Sequence, residues 1–93
     1  FDLAIPSMKL IIEAKYIRDG TTSGFNRIID EIAADTSLYL SLPSPYTQIV
    51  PFIWDDTRTV ERHAELRSGL LRLNGLAEVV IVSRPGSWIY DIL

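Results

Sequence analysis

The chain has 93 residues, 47% of them hydrophobic and 23% charged, with five Gly and five Pro, which describes one ordinary globular domain and excludes a disordered, fibrous or two-domain chain. It contains no cysteine and a single histidine, His63, so disulfide scaffolds, thiolate zinc centres, cysteine nucleophiles and histidine-rich metal sites are excluded, and any metal must sit on oxygen ligands, which favours Mg2+, Mn2+ or Ca2+. The net charge of -3 speaks against a broad basic surface for nucleic acid, though not against a local basic rim.

In chain order, residues 2 to 5, "DLAI", and 8 to 16, "MKLIIEAKY", are predicted strands joined by a tight turn at Pro6 and Ser7. After the loop "RDGTTSG", the residues Phe25, Ile28, Ile29, Ile32, Thr36, Tyr39 and Leu40 recur at helical spacing and predict an amphipathic helix over 24–41. "LPSP" stops it. "TQIVPFIW" is a β-prone strand in which Pro51 predicts an edge position or a bulge. "TRTVERHAELRSGLLRLNG" predicts a second helix closed by Asn74-Gly75, and "EVVIVSRP" a buried strand ended by Pro85. The tail "GSWIYDIL" is expected to pack back as a short helix or strand.

The order β-β-α-β-α-β implies right-handed crossovers and an α/β fold: a small three-layer domain with a mixed sheet and helices on its faces. The longest apolar runs, "LII" and "VVIV", fall far short of the roughly 18 to 20 residues that span a bilayer. No signal segment opens the chain, so a soluble cytoplasmic protein without a membrane partner is expected. The start at Phe1 reads as a piece of a longer polypeptide whose other domains are partners.

The run Leu10-Ile11-Ile12 leads straight into Glu13 and Lys15. Charges at the end of a buried strand are costly unless paired or bound to something. Alternation places Ile11, Glu13 and Lys15 on one face, and Leu10, Ile12, Ala14 and Tyr16 on the other. Folding back at Pro6-Ser7 brings Asp2 beside Glu13 and Lys15. Two carboxylates with the Ala14 carbonyl suit a divalent cation, while Lys15 can orient or help deprotonate water or stabilise charge building on a phosphorane.

The pattern "D…(ten residues)…EAK", followed by a helix and then alternating strand and helix, resembles the PD-(D/E)XK nuclease superfamily from Asp2 to about Pro85. "IPSMKLIIEAKYIRD", "IIDEIAADTSLY", "VPFIWD" and "VVIVSRP" resemble bacterial nuclease domains found near restriction systems. The resemblance implies a restriction-endonuclease-like core, here lacking the usual first helix and strand, with Phe1 where the motif carries proline. It also implies Mg2+-dependent (or Mn2+-dependent) hydrolysis of DNA phosphodiester bonds within a restriction or defence protein. Asp2, Glu13 and Lys15 are then catalytic, Asp2, Glu13 and Ala14 hold the metal, and Glu31, Asp35 and Tyr39 shape the site from the helix behind.

Two rival readings stand beside it. One is a catalytically inactive module that keeps the nuclease fold for binding nucleic acid or protein. The other is an interaction domain in which Glu13 and Lys15 simply pair and an edge strand or the "WIYDIL" tail forms a homodimer. Arg27, Glu31 and Asp35 also read as a solvated ladder. His63 is expected on the surface without an acidic or hydroxyl partner, and Asp55 or Asp56 as the cap of the second helix. Arg58, Arg62 and Arg72 form a stripe interrupted by Glu65, read first as a solvated face and second as a phosphate-contacting one.

Overall fold

A computed structural model describes residues 2–41 and 43–84. Strand β1 (Leu3–Ile5) passes through a 3-10 turn (Pro6–Met8) into β2 (Leu10–Ile17), followed by α1 (Thr22–Leu40), β3 (Gln48–Asp55), a second 3-10 turn (Val60–Arg62), α2 (His63–Leu71) and β4 (Val80–Ser83). The sheet order is β1-β2-β3-β4, with β1 antiparallel to β2 and the other pairs parallel. This is the expected β-β-α-β-α-β order and mixed sheet. The expected packing of the "GSWIYDIL" tail, and the strand stop at Pro85, lie outside the described residues.

The hairpin closes because Lys9 adopts a left-handed conformation (φ 54°) and its N–H donates to the Pro6 carbonyl at 3.0 Å. Helix α1 starts two residues earlier than its apolar period indicates. The cause is a polar cap: Asp19 accepts from the Thr21 N–H (3.0 Å) and hydroxyl (2.6 Å), and Thr21 Oγ1 in turn accepts from the Gly24 N–H at 3.3 Å. Gly24 is needed here, since a Cβ would stand 2.1 Å from the Asp19 carbonyl oxygen.

Two expectations are corrected. Pro51 lies neither on an edge nor in a bulge: β3 is an inner strand in unbroken register with β2. Ile49 directs its N–H to the Gly75 carbonyl and its own carbonyl to the Ala77 N–H, on the β4 side. Pro51, two residues on, lacks its donor on that same side, where the ladder to β4 begins only at Phe52. The second helix is also shorter than expected, because residues 57–59 are drawn into a turn around Asp55 before the chain can wind.

Consecutive right-handed crossovers in one direction place both helices on one side of the sheet. There Ile17 and Ile53 pack with Phe25, Ile28 and Ile32 of α1 and Leu66 and Leu70 of α2. The described residues thus account for the sheet and one helix layer. On the opposite face Leu10, Ile12 and Val50 are half-buried, while Tyr16 and Phe52 are exposed. Among the described residues no helix is long and apolar enough to cross a membrane.

Candidate functional site

The register Leu3↔Ile12, continued by one pair, sets Asp2 opposite Glu13. There the main-chain ladder gives way to a side chain: Asp2 Oδ2 accepts from the Ala14 N–H at 2.7 Å. In a strand the N–H and C=O of one residue face the same edge, so the Ala14 carbonyl points to the side that Asp2 occupies. The hairpin therefore brings Asp2 beside Glu13 and Ala14, as the fold-back at Pro6-Ser7 predicts.

Glu13 is buried on the helix-facing side, with 8% of its surface exposed. Burial raises its pKa above the ordinary carboxylate value, and the Asp2 and Asp35 carboxylates push it further, with Lys15 offsetting only part. Lys15 Nζ lies 3.0 Å from Asp35 Oδ2 and 3.8 Å from Glu31 Oε2. Burial works against its charged form, but the hydrogen bond and charge of Asp35, then Glu31 and Glu13, outweigh it and raise its pKa. Glu31 and Asp35 therefore reach into the site from α1. Tyr39, one turn on, lies in the same field: burial, then Glu13 and Asp35, raise its phenol pKa and keep it protonated.

Glu31 and Asp35 thus pair with Lys15, with Glu13 near them and Asp2 beside Glu13, and negative charge exceeds positive. Among the described residues no group of three or more His, Cys, Asp or Glu side chains is arranged to hold a metal ion. The ligands expected from the sequence, Asp2, Glu13 and the Ala14 carbonyl, are all oxygen donors at neighbouring positions of the hairpin. That hard, all-oxygen set fits Mg2+ or Mn2+, the remaining positions being left to water and phosphate.

A second polar cluster was not foreseen. Asp55, wholly buried at the end of β3, accepts from the Thr57 N–H (2.9 Å) and hydroxyl (2.5 Å) and from the Thr59 N–H (2.9 Å), with His63 Nε2 at 2.7 Å. Burial alone would raise its pKa; the hydrogen bonds from Thr57, His63 and Thr59 prevail and lower it. His63 is accordingly no partnerless surface residue, and Asp55 caps the 57–59 turn and not the helix. The readable signal was threonine two and four residues after an aspartate, the spacing of local side-chain to backbone turns. Asp56 instead receives the Trp54 indole N–H at 3.4 Å.

Within the arginine stripe, Arg62 is engaged inside the fold and is not a free phosphate-contacting side chain. Arg62 donates to the Gly20 carbonyl (3.2 Å) and Thr22 Oγ1 (3.1 Å), stacks over Phe25 at 4.6 Å and pairs with Glu65 at 3.3 Å. It fastens the α2 segment to the start of α1.

No curated protein and no solved structure gives a significant match to the chain. A family model does: REase_DpnII-MboI matches residues 1–86. The hairpin, the crossover helices and the carboxylate–lysine cluster all fall within that match, and the chain belongs to the DpnII-MboI family of restriction endonucleases.

Proposed function

We propose that this domain hydrolyses DNA phosphodiester bonds by the cation-dependent chemistry of PD-(D/E)XK nucleases, within a restriction or defence protein. The observation that carries the reading is the joint placement of Asp2 on the Ala14 N–H, Glu13 opposite it, and Lys15 two residues on. Asp2, Glu13 and the Ala14 carbonyl would hold Mg2+ or Mn2+, which when bound supplies Lewis acidity toward the phosphate and a more acidic water.

The chain's own residues do the rest. Glu13 is destabilised as a bare anion by burial and by its carboxylate neighbours, which primes it to take up positive charge. Lys15, held by Asp35 and Glu31, keeps a fixed ammonium beside the place where charge develops and orients the attacking water. Asp35 positions Lys15, and Tyr39 closes the same end of α1 with a neutral phenol.

The test is Mn2+ paramagnetic broadening in a two-dimensional NMR spectrum of the chain. Selective loss of the Asp2, Ala14 and Lys15 signals, abolished in Glu13→Gln, is the expected result. Uniform broadening, or the same broadening in the variant, would transfer the domain to the class of non-cutting modules that keep the fold.

A further inference from the structure

A residue other than glycine is uncommon in the left-handed backbone region, where its Cβ crowds the following carbonyl oxygen. Among the described residues Lys9 (φ 54°) and Arg58 (φ 57°) stand there. Lys9 has its reason in the main chain: its N–H donates to the Pro6 carbonyl, and its own carbonyl accepts from the Thr47 and Gln48 N–H groups. Arg58 makes no such bond, and its side chain has no hydrogen-bond or ion-pair partner among the described residues.

What holds Arg58 in place is the turn around it. Asp55 accepts from the Thr57 and Thr59 N–H groups at 2.9 Å each and so pins the residues on either side of Arg58. The Thr57 and Thr59 hydroxyls bond each other at 2.7 Å, and His63 braces the same carboxylate. Gly20 seals the turn from the neighbouring loop, since a Cβ there would stand 2.5 Å from Thr59 Oγ1 and 2.9 Å from Thr57 Oγ1. A wholly buried carboxylate thus presents one exposed arginine on a rigid tip. Glycine or asparagine would take the same backbone at less cost, so what sets position 58 apart is its guanidinium.

The loops around the tip leave that charge facing outward. Arg18, the first residue past β2, lies on the loop that carries Gly20. The carboxylates of the two loops are engaged locally: Asp19 by the Thr21 N–H and hydroxyl, Asp56 by the Trp54 indole N–H and Arg84, and Asp55 by the turn itself. In the parallel register Glu13 stands beside Pro51 and Ile17 beside Asp55. The turn therefore lies four residues along the sheet from the carboxylate–lysine cluster, about 13 Å at ~3.3 Å per residue. At ~3.4 Å per nucleotide that is roughly four steps along one strand of a duplex.

We propose that Arg58 binds a backbone phosphate of the nucleic acid on which the carboxylate–lysine cluster acts, about four nucleotides from the bond that is cut. The inference rests on the nuclease reading for the identity of the polymer. It adds an anchor whose charge acts without the cation, and it fits a chain of net charge -3, in which a preset guanidinium does what a broad basic surface does elsewhere.

The experiment is fluorescence anisotropy of labelled DNA duplexes of two unrelated sequences, titrated with the 93-residue chain in EDTA between ~50 and ~200 mM salt. Urea denaturation is run on the same samples. Arg58→Gly should weaken binding to both sequences to the same extent and lower the slope of log K against log salt by about one. Its urea midpoint should hold or rise, because glycine takes the left-handed backbone without the Cβ contact. Arg58→Lys should keep the slope, since the charge remains, and lose part of the affinity with the planar fork.

Absence of saturable binding by the folded chain overturns the proposal. So does unchanged binding by Arg58→Gly, which would leave Arg58 a solvated charge. A urea midpoint that falls together with binding overturns it as well, since the side chain would then belong to the scaffold. Mn2+ broadening of the chain in EDTA-free buffer separates the two proposals. Broadening without an Arg58 effect overturns only the phosphate contact, and an Arg58 effect without broadening overturns only the hydrolytic reading.

Discussion

Glu13 and Asp55 are both buried carboxylates on the helix-facing side of adjacent strands, and their surroundings are opposite. Asp55 is surrounded by donors: two backbone N–H groups, a hydroxyl and an imidazole. Glu13 has the Asp2 and Asp35 carboxylates as like-charge neighbours, and their repulsion together with burial outweighs the attraction of Lys15. The pKa of one falls and that of the other rises. A carboxylate saturated with donors holds a fold together, whereas the ionised form of one crowded by like charge carries a cost that a cation or a proton would relieve.

The largest test of the contrast is Asp55→Ala. It leaves the Thr57 and Thr59 N–H groups and His63 without their acceptor and should cost about 3 kcal/mol or more, read by urea denaturation. His63→Ala removes one of those donors, and a loss of about 1–2 kcal/mol is expected by the same method.

The pH dependences should run in opposite directions. The Asp55 pKa is lower in the folded state, so its contribution is complete above the ordinary aspartate value and is lost as pH falls through the folded value. The Glu13 pKa is higher in the folded state, so ionised Glu13 destabilises the fold above that raised value, and the penalty disappears as pH falls below the ordinary glutamate value. Glu13→Gln should therefore raise the urea midpoint at neutral pH and leave it unchanged in acid. A lower midpoint at neutral pH would mean that Glu13 is a structural partner like Asp55. The smallest effect is expected from Lys15→Met: its half-buried pairs with Asp35 and Glu31 should cost no more than about 1 kcal/mol, so a larger loss would make Lys15 part of the scaffold.

The two carboxylates also differ in how far sequence reveals them. Asp2, Glu13, Ala14 and Lys15 meet through two-residue alternation and one tight turn, both local rules, so their neighbourhood is readable along a short segment. Glu31, Asp35 and Tyr39 come from the family resemblance, since helical spacing fits a solvated ladder with Arg27 equally well, and it takes the crossover to show that Glu31 and Asp35 face Lys15. Asp55 gathers its donors through an irregular turn in which Arg58 has a positive φ of 57°, and no periodic pattern marks it. Arg62 is similar: its partners at Gly20 and Thr22 lie some forty residues away, so only the assembled sheet distinguishes a fastening from a solvated charge. Pro51 misled because a proline in a strand is read as an edge, whereas one side of an inner strand can also be locally unpaired.

That proline also limits how the last strand can join. Because face alternation has a period of two, one of the two nearest slips that keep the apolar side chains of β4 inward moves Val80 from Phe52 to Val50. In that register β4 would run alongside Pro51, which has no N–H to donate toward it. A missing hydrogen atom in the middle of β3 thus penalises a misaligned sheet while leaving the native one untouched, and it keeps Arg84 at the end of β3 where Asp56 stands.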